Sequence, residues 1–451
     1  MKNLDNKEND RVIMNSFFRN NTTIILIMLL SVLLQIFFII NYNAGPVESD
    51  AIHYNLLAKN LLHKGIFSLD GKMVNVQRAP GYPFFIFLVY LLFGEKIIAV
   101  QLAQVLLTAF ICLLVYKIGR ILFDKNVGIL AALITAIHPV FICQSFPLLT
   151  ETLTAFLITL SVYLAIVSLQ VHKVRYFILL GILLGIAALT RPVVLLLPFF
   201  SIIMLFFFYN WRKILRAALF FLIPFILIVG IWIYRNYRYT GYFIPVQMMS
   251  SLWGGTYIPG SGYGDNSLTI KAGDDLSGRL SVKIRKKYGK TIEEKSAKFD
   301  IFSYLLIREM RKEAIKNIIS DPIGLIRILP YKFGRLYIGS YCYLYGVKET
   351  FGELLHSKES IKNAKIKLFL KSFILFVSIL IIILSLIGIF TSITRTSYFL
   401  PVIILFLYWN LFFIFFETMT RYSIPILPII ILMAANGIHK ASRIFKERGV
   451  F

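Results

Sequence analysis

Cysteine is scarce in this chain of 451 residues, and the three present, Cys112, Cys143 and Cys342, are too few and too scattered for a disulfide framework or a metal knuckle. They are expected to act as packing residues. Charge is scarce too: only 16% of residues are charged, against 58% hydrophobic and 15% aromatic. A water-soluble globule of this length has no use for that balance, so the composition implies an integral membrane protein. Acidic residues are the scarcest group, 23 against 48 Lys and Arg, for a net charge of +25. In a soluble protein that excess would suggest nucleic acid, but no basic stripe interleaved with exposed aromatics sits on a soluble module here. Lys and Arg instead fill the links between apolar runs, where they hold loops in the cytoplasm and attract anionic lipid. Membrane lipids are therefore expected partners, and nucleic acid is not.

What is abundant is apolar sequence in runs of membrane length. At ~20 residues per crossing, spanning helices are predicted at 22–41, 97–119, 126–144, 150–169, 175–190, 192–209, 213–234, 366–390, 398–416 and 420–439. The first run follows Lys2, Lys7, Arg11 and Arg19 as a signal peptide would, but "NYNAGPVES" offers no small-x-small cleavage site, and an uncleaved helix is expected. The segment "PGYPFFIFLVYLLFG", Pro80 to Gly94, is apolar yet shorter than the ~17 residues a crossing needs, which leaves a re-entrant or interfacial helix. Charge bias supports that choice. With Pro80 to Gly94 uncrossed, Lys117, Arg120, Lys125, Lys173, Arg175, Arg212, Lys213, Arg216, Arg395, Lys440, Arg443 and Lys446 all fall on one side. Both termini are then cytoplasmic.

The expected fold class is an all-α polytopic membrane protein, about ten spanning helices plus interfacial helices in two outer loops. Its parts are an N-terminal membrane module at 1–234 with a first outer loop at 42–97, an extracytoplasmic loop region at 235–365, and C-terminal membrane helices at 366–451. In the second loop, "FDIFSYLLIREMRKEAIKNIIS" is amphipathic from Phe299 and stops before Asp321-Pro322; it is expected to lie along the outer interface.

This topology gathers ionisable residues on the outer face. Glu48, Asp50, His53 and Arg78 lie in the first loop, and Glu151, Arg191, Arg235, Arg238, Glu417 and Arg421 fall at outer helix ends. Any one of them is ordinary at an interface; a convergent set next to hydrocarbon is a site hypothesis. An ionised carboxylate such as Asp50 can take a proton from an attacking hydroxyl, and guanidiniums such as Arg78 and Arg191 can hold a phosphate by paired hydrogen bonds. Tyr54, Tyr82 and Trp253 could stack on a sugar or support an isoprenoid chain, or simply mark the membrane interface.

In chain order, "ESDAIHYNLLAKNLLHKGIFS", "QRAPGYPFFIFLVYLLFG", "LLTETLTAFLITLSVYLA", "LLGIAALTRPVVLLLPF", "RNYRYTGYFIPV" and "RYSIPILPIIILMAANG" resemble the bacterial members of glycosyltransferase family 39. That branch of the type C membrane glycosyltransferases includes the protein O-mannosyltransferases and is related to the lipid A aminoarabinose transferases. The pairing of D-x-x-x-Y-x-x-x-A-x-x-L with R-x-P-G-Y-P across the first loop is its most specific part. The resemblance implies a type C glycosyltransferase-like helical bundle in a bacterial cytoplasmic (inner) membrane. It further implies that a sugar passes from a polyprenyl-phosphate donor to an acceptor hydroxyl, with inversion. The acceptor would be a lipid, a glycan or a protein.

By the same resemblance Asp50 matches the family's catalytic base, and Arg78, Glu151 and Arg191 match positions lining the donor site. His53, Tyr54, Tyr82, Arg235 and Arg421 complete the expected substrate-binding set. The chain departs from many relatives, which carry an Asp-Glu pair and then a basic residue; here Asp50 is followed by Ala51, Ile52 and His53. No cofactor is expected, and a divalent metal stays an open alternative with no ligand motif behind it. Two other functions compete: a polytopic transporter or lipid flippase, which would carry mid-membrane ionisable groups or paired broken helices, and a structural subunit that keeps the fold without activity.

Overall fold

The structure, a computed structural model, describes residues 2–41, 49–244, 249–263, 267–296, 299–339, 354–355, 361–392 and 397–447. Glu48, Cys342 and Arg395 lie outside these ranges. Every regular element among the described residues is helical, and the single β contact is a parallel bridge between Val74 and Phe299.

Among the described residues, six helices are long and apolar enough to cross a membrane: Thr22–Asn41, Ile97–Leu122, Thr150–Val171, Trp211–Thr240, Asn363–Phe390 and Thr420–Ile444. The four other expected crossings appear as shorter apolar pieces, Lys125–Ile137, Val174–Thr190, Pro192–Ile203 and Leu400–Phe415. Proline sets where two of these pieces end. Lys125–Ile137 stops at His138, ahead of Pro139, and Val174–Thr190 stops at Arg191, ahead of Pro192. A residue before proline is pushed out of the helical region, and both His138 and Arg191 are extended. Gly81–Phe93, at 13 residues, is about 20 Å long and falls short of a bilayer core, as its sequence implies.

Burial sorts the bundle into an inner and an outer layer. The apolar windows of Thr150–Val171 and Thr420–Ile444 are 72% and 83% buried, whereas those of Thr22–Asn41, Trp211–Thr240 and Asn363–Phe390 are at most 28% buried. Composition follows position. The inner helix Thr150–Val171 carries Thr152, Thr154, Thr159, Ser161 and Ser168 among its buried residues, and hydroxyls fold back onto its own carbonyls, as Thr154 does to Thr150. Small residues of this kind let helices approach closely where no water drives them together. The peripheral helices turn Leu219, Leu227, Ile231, Phe369 and Phe376 outward, as lipid contact requires. Ile361–Phe390 crosses Leu427–Glu447 at paired glycines: a Cβ on Gly388 would sit 1.9 Å from the Met433 carbonyl oxygen, and one on Gly437 2.2 Å from that of Leu384.

Both long connecting regions meet at one end of the bundle. Val74 and Val76 of the first pack with Ile244, Trp253, Leu276, Leu280, Ile284, Phe299, Ile301 and Leu305 of the second, forming a small core apart from the main one. Ile301–Ser320 is the expected amphipathic helix, capped by Asp300, whose carboxylate accepts from Ser303 N. Ser267–Lys295, kinked at Tyr288, is a second helix; its buried apolar side chains are the narrow stripe Leu276, Leu280 and Ile284.

Candidate active site

Asp50 stands in the first turn of Ser49–Lys64, Arg78 just ahead of Gly81–Phe93, Glu151 in the first turn of Thr150–Val171, Arg191 at the end of Val174–Thr190, and Arg421 in the 3-10 segment Thr420–Ile426. Five separate elements therefore bring one charged group each to the same end of the bundle. The two acids lie at helix N-termini, where the unpaired amides and the macrodipole favour negative charge.

The five groups form one chain of ion pairs. Arg78 Nη1 lies 2.9 Å from Asp50 Oδ1, and Arg421 Nη2 3.2 Å from Asp50 Oδ2. Arg421 Nε then reaches to 4.0 Å from Glu151 Oε1, which Arg191 Nη1 approaches to 2.9 Å. Arg191 also donates to Thr150 Oγ1 at 3.2 Å and lies over the Tyr422 ring at 4.9 Å. Glu151 is buried and Arg191 largely so, with side chains 3% and 13% exposed, whereas Asp50, at 23%, stays reachable. Burial alone would raise the Asp50 pKa, but the Arg421 and Arg78 guanidiniums outweigh it and hold the carboxyl below its ordinary 3.8. Asp50 is thus ionised throughout the physiological range.

These groups line an open cleft of about 210 Å³. Tyr54, Gln77, Thr190, Ser251, Phe412, Phe416, Glu417 and Tyr422 complete much of its wall. A cleft with guanidiniums beside an ionised carboxylate can hold a phosphate and accept a proton within one site.

Asp50, Tyr54, Arg78, Glu151, Arg191 and Arg421 all border this cleft, as expected of a common site. His53 stands one step back: its Nδ1 is 2.8 Å from Arg78 Nη2, and burial together with the Arg78 charge lowers its pKa below 6.5, so it acts as a neutral acceptor that aims Arg78. Burial pushes Tyr54 up to about 12, leaving a neutral phenol under the Arg78 guanidinium. Tyr82 lies outside the lining. It is fully buried, its hydroxyl donates to Gln104 Oε1 at 2.9 Å, and its ring meets Tyr54 edge-on. Arg235 is also elsewhere, among Trp232, Phe67 and Tyr239, donating to the Asn75 carbonyl at 2.8 Å and so fastening the first loop to Trp211–Thr240. Trp253 stacks on Tyr257 in the small core. Ser251, Tyr422 and the phenylalanines were not among the expected site residues, and Glu417 was expected on the outer face but without a role of its own. Glu417 and Tyr422 carried a signal, flanking Arg421 in "ETMTRY"; Ser251 carried none.

Among the described residues no group of three His, Cys, Asp or Glu side chains is arranged to hold a metal.

Residues 77–234 match the family described as dolichyl-phosphate-mannose-protein mannosyltransferase. No curated protein sequence matches the chain. Among solved structures, the archaeal oligosaccharyltransferase AglB from Archaeoglobus fulgidus, in complex with an inhibitory peptide and a dolichol-phosphate, superposes with a TM-score of 0.54 at 14% identity, covering 96% of this chain and 52% of that one. The Archaeoglobus fulgidus oligosaccharyltransferase in its apo form gives 0.52 at 14% identity, covering 95% and 51%. ArnT from Cupriavidus metallidurans bound to undecaprenyl phosphate gives 0.42 at 12% identity, covering 94% and 79%. The chain spans about half the length of the oligosaccharyltransferase it matches. From Gln77 to Tyr234, then, this protein resembles the dolichyl-phosphate-mannose-protein mannosyltransferases, and across almost its whole length it shares the fold of the Archaeoglobus fulgidus oligosaccharyltransferase.

Proposed function

We propose that this protein is a membrane glycosyltransferase that moves a sugar from a polyprenyl-phosphate donor to an acceptor hydroxyl on the extracytoplasmic face, in modification of a cell-envelope glycan, lipid or protein. The observation that carries it is an accessible, ionised Asp50 held between Arg78 and Arg421 in a cleft at the membrane end of the bundle. The acceptor hydroxyl gives its proton to Asp50 as its oxygen bonds to the anomeric carbon. The bond from that carbon to the phosphate oxygen breaks on the opposite side, its electron pair stays with the phosphate, and the configuration inverts. Arg78, Arg191 and Arg421 bind the phosphate and stabilise it as it leaves. Glu151 holds Arg191, and His53 holds Arg78. Tyr82 and Arg235 support this site from outside it. The three guanidiniums supply the positive charge, and no cofactor is invoked. Radiolabelled sugar passing from polyprenyl phosphate to acceptor on the purified protein tests the proposal, and transfer is expected to survive a divalent-metal chelator. Cells lacking the protein are expected to accumulate the lipid-linked sugar, whose mass names it.

The ion pairs set a pH dependence. Asp50 must be ionised to act, so activity is lost as pH falls through its pKa, which lies below 3.8. Arg421→Met removes the largest influence that lowers this pKa and leaves burial pushing it up, so the acid limb of the rate profile is expected to move upward. An unmoved limb in the pH–rate profile would show that Asp50 is not the titrating base.

The basic links support a topology with both termini in the cytoplasm, in the inner membrane of a bacterium. With native cysteines removed, Ser277→Cys is expected to react with a membrane-impermeant thiol reagent added outside intact cells, and Lys173→Cys is not. Lys173 is exposed and Ser277 half-buried. The reverse labelling would put the cleft on the cytoplasmic side.

A further inference from the structure

One part of the cleft wall is built by groups that phosphate binding and proton transfer leave unused. Phe412 and Phe416 line it as a parallel stack, ring centroids 4.0 Å apart and planes 9° apart. Glu417 follows them directly, and its Oε1 accepts from Ser251 Oγ and from the Tyr422 hydroxyl, each at 3.1 Å. The main chain here is fastened as firmly as the side chain. Glu417 N donates to the Ser251 carbonyl at 2.8 Å, Thr418 N to that of Gly262 at 3.1 Å, and a Cβ on Gly255 would sit 2.3 Å from Glu417 N, so only glycine fits. Beneath the wall, fully buried Lys332 donates from Nζ to the carbonyls of Gly255 and Ile414, both at 2.8 Å. A buried ammonium is expensive. Spent on two main-chain carbonyls, it ties the ends of Met249–Thr256 and Leu400–Phe415 together on either side of Glu417.

Tyr422 measures the distance from this wall to the phosphate-binding groups. Its ring lies under the Arg191 guanidinium and its hydroxyl donates to Glu417, so the carboxylate stands one tyrosine side chain from Arg191. A pyranose ring has a similar reach from its anomeric oxygen to the hydroxyls at its far edge. It also has an apolar C–H face that suits an aromatic surface and hydroxyls that donate strongly to a carboxylate. We propose that Glu417 and the Phe412–Phe416 stack recognise the sugar of the lipid donor, Glu417 by accepting hydrogen bonds from its hydroxyls, with Lys332 as the positioning residue that holds the wall. This deepens the transferase function proposed above and rests on it.

The test compares binding of bare undecaprenyl phosphate with undecaprenyl phosphate carrying glucose, mannose, galactose, N-acetylglucosamine or N-acetylgalactosamine, on purified full-length protein. Wild type is expected to prefer at least one glycosylated lipid to the bare one. Glu417→Gln keeps the shape of the side chain and removes its charge, and should cut that preference roughly 10- to 100-fold while affinity for bare lipid stays within about 2-fold. Ser251→Ala, which deletes one of the two bonds aiming the carboxylate, should lose part of the preference. Equal loss for bare and glycosylated lipid in Glu417→Gln, or an unchanged preference, overturns the assignment, as does a wild type that does not distinguish the lipids. Failure of wild type to bind any of them overturns the donor itself, a separate result.

Discussion

Asp50→Asn protein is expected to keep its lipid donor and lose transfer by ~100- to 10,000-fold, the range typical of general-base removal. Asparagine keeps the size and polarity of the side chain but cannot take a proton at neutral pH. Arg78 and Arg421 would lose their shared counter-ion in the same step, which favours the donor phosphate as their partner and should leave donor affinity equal or higher. Asp50→Glu should recover little, since a carboxylate displaced by about 1 Å loses most of its alignment. The measurement is transfer of radiolabelled sugar on purified protein beside a separate donor-binding assay. Near-wild-type turnover would remove Asp50 as the base and make Glu48 and Glu151 the next positions to change.

The second large effect is on stability. Glu151→Gln should lower the thermal midpoint of purified protein in detergent more than any change at Asp50, by an amount equivalent to ~3–5 kcal/mol. The cause is the partner left behind. Arg191 is 13% exposed and would stay charged facing an amide, while Arg421 loses the carboxylate at the far end of its guanidinium. The double variant Glu151→Gln/Arg191→Met removes the stranded charge and should regain part of the loss. If the single variant melts with wild type, the pair contributes to donor binding alone.

How far these features could be read from the sequence depends on how local their causes are. Apolar runs and basic links act locally, which is why helices appear where expected and the charged groups collect at helix ends. Asp50, Arg78, Glu151, Arg191 and Arg421 were legible for that reason, since an ionisable residue beside a membrane helix has few reasons to be there. Which way an aromatic turns was not. Tyr82 and Tyr54 belong to similar surroundings in sequence, yet one hydroxyl is buried against Gln104 and the other ring borders the cleft, a difference set by packing of Gly81–Phe93 on Ile97–Leu122. Arg235 drew attention as a charge at a helix end, and the three rings around it come from Phe67, Trp232 and Tyr239, the first of them far off in the chain. Ser267–Lys295 was missed because it buries one residue per turn and shows the sequence little but charge. Glu417 was visible, but its meaning lay with Ser251, 166 residues away.

Arg421 stands 371 residues beyond the Asp50 that it grips. At a synthesis rate of ~5–20 residues per second, roughly 20–75 s separate the appearance of the two on the ribosome. Through that interval the first helices are already in the membrane, among the lipids the finished protein is proposed to use, with one of the two guanidiniums that clasp the carboxylate not yet made. Until Arg421 is made, the Asp50 carboxylate has one of its two guanidinium partners, so the paired clasp on which the proposed function rests is assembled late in synthesis.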